Sequence, residues 1–255
     1  MPPIFPSFER IELKRPPLQL VVCQVRFPPI LELVAGDPPV KFQEALKHRY
    51  PVTHRDQSLE MRSVGGEAPL LRTSHHWRFD DADSKWTVSL GDSFLSLETG
   101  HYRRFTDFVQ RFDELLDISR DLFPLEIRDR FGLRYIDRLS KRVCPNLPDN
   151  WLTQIQSDLI PLRGWRGEGE PQKGQLETRY AFDGQILTIR CTTVDRGFSG
   201  ADEDEFVLDI DCYCADRAPL GNLAELMRDF KQMAYNVFRW AVGDLISSFG
   251  PAETE

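Results

Sequence analysis

Two long stretches of this chain carry one apolar register. From Phe105 the apolar residues fall at offsets 0, 3, 4, 7, 10 and 11 (Phe105, Phe108, Val109, Phe112, Leu115, Leu116), and from Leu223 the same offsets carry Leu223, Leu226, Met227, Phe230, Met233 and Ala234. Six matches to a 3.6-residue period, found twice, predict two amphipathic helices that each have a face to bury. The first is predicted over Tyr102 to Phe123, where Pro124 stops it. The second begins after Asn222, whose side chain can accept from the free amides of the first turn while Glu225 reaches back. Its stripe continues through Val237, Phe238, Ala241, Val242, Leu245 and Ile246.

Strand signals precede each helix. Pro16-Pro17 releases a strand from Leu18 to Phe27, apolar on both faces in its middle and therefore central in a sheet. A short helix follows over Val40 to Arg49, then strands at Leu70 to Phe79, Lys85 to Leu90 and Phe94 to Leu97. The second half repeats the order with a strand from Ile127 to Leu139, a short helix over Asp149 to Ser157, and strands at Leu176 to Phe182, Gln185 to Val194 and Phe206 to Cys214. Asp183-Gly184 is the strongest hairpin signal, because a two-residue type I′ turn needs positive φ at both positions. The expectation is an α+β fold: a largely antiparallel sheet with two long amphipathic helices on one face, arranged as a two-half β-α-β-β-β-α pseudo-repeat. Residues 1–124 form the N-terminal half and 125–255 the C-terminal half, packed as one compact unit. Residue identity between the halves is weak, so the repeat rests on element order and helix register; the alternative is a single irregular α+β domain.

A formal charge of −8 with 41% hydrophobic residues makes a mildly acidic globular chain for which non-specific nucleic-acid binding is not expected. No apolar run approaches the roughly 20 residues that cross a bilayer. Met1 to Arg15 is rich in proline and charge and lacks the apolar core of a secretory signal, so the expected location is cytoplasmic. Of five cysteines, Cys23, Cys191, Cys212 and Cys214 fall in expected strands, where the residue serves as a small buried apolar group.

Three segments together resemble a sporadically distributed family of uncharacterised bacterial proteins of about this length: PPLQLVVCQVRF (Pro16 to Phe27), WTVSLGDSFLSLETGHY (Trp86 to Tyr102) and RFGLRYIDRL (Arg130 to Leu139). The resemblance implies common fold and ancestry and carries no established activity. Scattered occurrence implies mobile cargo, which includes antiviral defence operons, an association rather than a physical argument.

Alternation along the strand from Ile127 sends Phe131, Leu133 and Tyr135 to one side and Arg128, Arg130, Arg134 and Arg138 to the other. Two readings of that arginine face stand open. Glu205, Asp209 and Asp211 on the last strand could neutralise it as cross-strand pairs, or it could be a groove for an acidic or phosphate-bearing partner. Trp165, between Arg163 and Arg166 in a glycine-rich segment, and Phe198 in an acidic one suit partner contact, since exposed aromatics and arginine dominate interface hot spots. His75-His76 near Asp80, Asp81 and Asp83 do not predict a metal, because adjacent strand residues point to opposite faces. Cys212 and Cys214 face the same way, but no second pair completes a zinc set. No nucleophile elbow, P-loop, dinucleotide fingerprint or H-E-x-x-H occurs. His101, beside Tyr102, is the one histidine worth testing. The expected function is a non-catalytic binding or adaptor protein, without cofactor or metal, that contacts another protein of the same operon. Its surfaces would be Arg130, Arg134 and Arg138 with Arg163 and Trp165. The alternatives are a sensor holding a small anionic ligand between sheet and helices near Arg134 and Tyr135, and an enzyme acting on a nucleotide or phosphoester.

Overall fold

A computed structural model describes residues 5–34, 37–62, 70–161, 173–196 and 202–250. Strand β1 (Leu18–Arg26) leads to two short helices, α1 (Leu31–Val34) and α2 (Val40–Leu46), and then to strands β2 (Val52–Arg62), β3 (Leu70–Asp80), β4 (Trp86–Gly91) and β5 (Phe94–Thr99). Helix α3 (Phe105–Leu122) follows, then β6 (Ile127–Arg128) and β7 (Arg130–Leu139). Two 3₁₀ turns, Trp151–Gln154 and Ser157–Leu159, precede β8 (Lys173–Phe182), β9 (Gln185–Val194), β10 (Glu205–Cys214) and β11 (Ala218–Pro219). Helix α4 (Ala224–Val242) runs into a 3₁₀ segment over Gly243–Phe249.

Among the described residues nine strands are hydrogen-bonded in the order β2-β3-β4-β5-β1-β7-β10-β9-β8, and β11 pairs β6. The β2–β3, β3–β4, β4–β5, β8–β9 and β9–β10 pairs are all antiparallel, so the fold is α+β with a large antiparallel sheet. The Asp183-Gly184 turn has φ of 48° and 76°, the left-handed geometry that its sequence predicts. Strand β2 was not expected: its run from Val52 is mostly polar, and as an edge strand with one neighbour it buries too little to show an apolar alternation. The helix expected over Asp149 to Ser157 is instead the pair of 3₁₀ turns, which bury Trp151 and Leu159. No described helix is long and apolar enough to cross a membrane.

The chain divides into two compact units. One comprises Val22–Gly132 with Ala215–Ala224. Its core is built by α3, which buries Phe108, Phe112, Leu115 and Leu116. Phe108 meets Trp86 of β4 at 5.8 Å between ring centroids, Phe112 meets Phe131 of β7 at 6.1 Å, and Phe42 of α2 meets Phe79 of β3 at 5.4 Å. Each such side chain withdrawn from water stabilises the fold by about 1.5–3 kcal/mol.

The other unit comprises Met1–Val21, Leu133–Cys214 and Glu225–Glu255. Helix α4 buries Met227, Phe230, Ala234, Val237, Ala241 and Val242, the continuation of the sequence stripe. The N-terminal arm lies along it, with the Phe8 amide donating to Asn236 Oδ1 at 3.2 Å and the Ile11 amide to the Tyr235 hydroxyl at 2.8 Å. At the start of α4 the Asn222 carboxamide oxygen accepts from the Ala224 amide at 2.8 Å, the cap that its sequence announces.

Candidate anion-binding site

Two of the three arginines of β7, Arg134 and Arg138, are engaged by β10 beside them. Arg134 offers both edges of its fork to Asp209, Nε donating to Oδ1 at 2.7 Å and Nη2 to Oδ2 at 2.6 Å, and these bonds hold the guanidinium pKa up. Arg190 of β9 approaches the same carboxylate at 3.5 Å, and Arg138 pairs with Glu205. Arg128, nearly buried, pairs with Asp216 at 3.1 Å. Tyr135, adjacent to Arg134, points to the opposite, buried face with Phe131 and Leu133. Arg163, Trp165 and Phe198 lie outside the described residues.

A denser cationic group gathers at the other unit, around the N-terminal half of α3. A cavity of about 330 Å³ is lined there by the guanidiniums of Arg49, Arg103, Arg104 and Arg111, by His101 and by the Trp86 indole. Asp107, Gln110 and Glu114 complete its described lining. Four guanidiniums against two carboxylates leave a local excess of two positive charges on a chain whose formal charge is −8.

The fold fixes each group by a separate device. Arg111 lies with its guanidinium carbon 4.3 Å from the centroid of the Trp86 ring, a cation–π contact, and its Nη1 reaches the Tyr50 hydroxyl at 3.5 Å. Burial raises the Tyr50 pKa against the opposing pull of Arg111, so this hydroxyl stays protonated and neutral. Arg49, from the end of α2, is ion-paired to Glu114, whose other oxygen accepts from Gln110 Nε2 at 3.1 Å. Arg103 Nη2 lies 3.2 Å from His101 Nε2. Arg104 is the residue before the first turn of α3, and among the described residues no hydrogen bond or ion pair engages its side chain. The free amides and dipole of that turn add positive potential to the same end of the helix.

Such an arrangement has the chemistry of an anion site. Guanidinium forks match the geometry of phosphate and carboxylate oxygens, and the Trp86 indole under Arg111 holds one of those forks in place. Part of it is legible in the sequence. Asp107, Gln110, Arg111 and Glu114 recur at i, i+3, i+4 and i+7 opposite the apolar stripe, so a polar face of α3 beginning at Arg103-Arg104 and His101 could have been read. Arg49 could not, because only the tertiary fold brings it to Glu114, a separation of 65 residues.

Two further polar groups hold the strands around β3 together. Asp81 Oδ1 accepts from the amides of Lys85 at 2.6 Å and Trp86 at 3.1 Å, closing the β3–β4 turn. Arg78 sits 3.6–3.7 Å from Asp56, Asp80 and Glu98 across β2, β3 and β5, and burial pushes the Glu98 carboxyl up and the neighbouring His76 down. Among the described residues no group of three or more His, Cys, Asp or Glu could hold a metal ion. Cys23, Cys144, Cys191, Cys212 and Cys214 are all buried free thiols. Burial pushes Cys144 to about 11 and Cys191 to about 12, so the nucleophilic thiolate is scarce at neutral pH. In the native state a thiol-reactive disulfide reagent should therefore label none of the five within minutes, and all five after denaturation. A fast-reacting native thiol would contradict this packing.

Comparison of the sequence with protein-family models finds no match, and none of the curated proteins matches it either.

Proposed function

We propose that the protein is a non-catalytic binding protein that takes a small anionic ligand in the cavity formed by Arg49, Arg103, Arg104 and Arg111. The observation that carries this reading is the convergence of four guanidiniums and an indole on one space of about 330 Å³, a size that suits a small molecule. Of its two carboxylates Glu114 is ion-paired to Arg49, and His101 lies against the Arg103 guanidinium, so the titratable groups of the space are engaged by arginine, which supports binding over reaction.

The cleanest probe is Arg104→Ala, since no described residue bonds that side chain. Titration with inorganic phosphate, pyrophosphate and a nucleoside monophosphate should raise the Tm of the wild-type chain. R104A should weaken the best of these by about ten-fold or more, the usual loss for one charge-assisted hydrogen bond. Glu114→Gln, which releases Arg49 from its internal counter-charge, should tighten binding. No Tm rise with any of the three, or equal affinity in R104A, would remove the site.

A second reading, contact with another protein of the same operon, is supported by a different surface. Leu31 is 83% exposed, Val34 49% and Val40 56%, all on the adjacent helices α1 and α2. A two-half pseudo-repeat is also part of the proposal: each of β1 and β7 lies beside the last strand of the meander that follows it (β2-β3-β4-β5 and β8-β9-β10), and a long helix closes each series. That correspondence favours duplication.

A further inference from the structure

The unit that carries α4 contains a cavity of different chemistry, about 300 Å³ in volume. Three aromatic rings meet there: Phe5 from the N-terminal arm, Tyr180 from β8 and Trp240 from α4. The Phe5 ring lies 5.0 Å from Trp240 at 59° and 5.9 Å from Tyr180 at 84° between centroids and planes. Rings inclined at these angles do not stack, and faces set in different directions are what the walls of an aromatic box require. Asp158 stands at the same cavity and is the one charged group among its described lining residues.

We propose that this cavity binds a small organic cation carrying a quaternary ammonium group. The electron-rich faces of aromatic rings attract a positive charge that is too weakly hydrated to resist desolvation, and methylated ammonium is the chemistry that aromatic boxes select. Asp158, exposed on its 3₁₀ turn, supplies the carboxylate that faces the cation. An ordinary lysine ammonium fits less well, because it is strongly hydrated and the three rings of this lining replace its water poorly. Phe5 also ties occupancy to the arm: its ring is buried against Tyr180 and Trp240, and Phe8 and Ile11 of the same arm bond α4, so a bound cation should hold residues 5–11 in place.

Isothermal titration of the full chain with choline, and with its neutral isostere 3,3-dimethyl-1-butanol, tests the assignment. Choline should bind and quench tryptophan fluorescence, and the neutral alcohol should bind about ten-fold more weakly or less. Asp158→Asn should weaken choline without altering the weak binding of the alcohol. Trp240→Ala should abolish choline binding, while Trp240→Phe, which keeps a ring in the wall and protects the fold, should retain a measurable fraction. Flotation with phosphatidylcholine vesicles separates a lipid headgroup from a free metabolite as the source of the ammonium, and either outcome supports the site if D158N reduces it. Equal affinity for choline and the alcohol, unchanged binding in D158N, or no binding of choline to the folded chain at millimolar concentration would overturn it.

Discussion

Replacing Asp137 by asparagine should stabilise the chain by about 2–4 kcal/mol at pH 8 and have almost no effect near pH 3. Asp137 lies on the inward face of β7 with Phe131, Leu133 and Leu139, is 5% exposed, and accepts no hydrogen bond from any described residue. Burial alone raises its carboxyl from 3.8 to about 7. The folded chain therefore holds this proton more tightly than the unfolded chain does. Below the unfolded value both states are protonated and the site costs nothing. As pH rises from about 4 to 7 the unfolded carboxyl ionises while the folded one cannot, so stability is lost through that window and the loss levels off above about 7. Asparagine keeps the shape and removes the ionisation. Urea melts of both chains at intervals from pH 3 to pH 8 check it: the difference in stability should grow through the window and then flatten. A difference independent of pH would mean that Asp137 does not titrate between those limits.

Asp137 also shows where sequence reading runs out. Both long helices, the central strand β1 and the Asp183-Gly184 hairpin follow from periodicity and turn chemistry, because in each a run of neighbouring residues repeats the same signal. Alternation along β7 likewise separates Arg134 from Tyr135 correctly. The same parity puts Asp137 on the apolar side, yet one acid in an alternating run is outweighed by its neighbours when residues are scored by type. Whether the arginine face is a groove or a set of ion pairs depends on which strand lies beside β7, and that order is tertiary information. Beside β7 the structure places Asp209 and Glu205, which pair with Arg134 and Arg138, and a second group of cations lies around α3. Arg104 and Arg111 stand two helical turns apart on the polar side of α3, a spacing that is usually just a solvated face. What makes them a candidate site is Arg49 and Trp86 closing the space, from elements that the chain pattern does not bring together.

Phe112→Ala should destabilise the protein by about 3–5 kcal/mol, the usual cost of removing a fully buried phenyl ring and leaving a cavity behind. Phe112 is 0% exposed, at the middle of the α3 stripe, with Phe108 one turn before it and Leu115 and Leu116 one turn after. Its ring meets Phe131 on β7, so the helix and the strand lose one contact together. The neighbours that could collapse into the space are themselves held: Phe108 by Trp86 and Tyr102, each at 5.8 Å, and Phe131 by its place in a hydrogen-bonded strand. Partial relaxation of that kind puts the loss in the upper part of the range for large-to-small changes. A domain has in total only about 5–15 kcal/mol of stability, so the variant should show a lower urea midpoint with an unchanged slope. Val109→Ala, on the half-exposed flank of the same helix, removes less buried surface and should cost about 1 kcal/mol or less. Because the two positions share a helix and differ in burial, their ratio tests the docking of α3 independently of helix propensity. A loss below about 1 kcal/mol for F112A would mean that the stripe found in the sequence is not the face that packs.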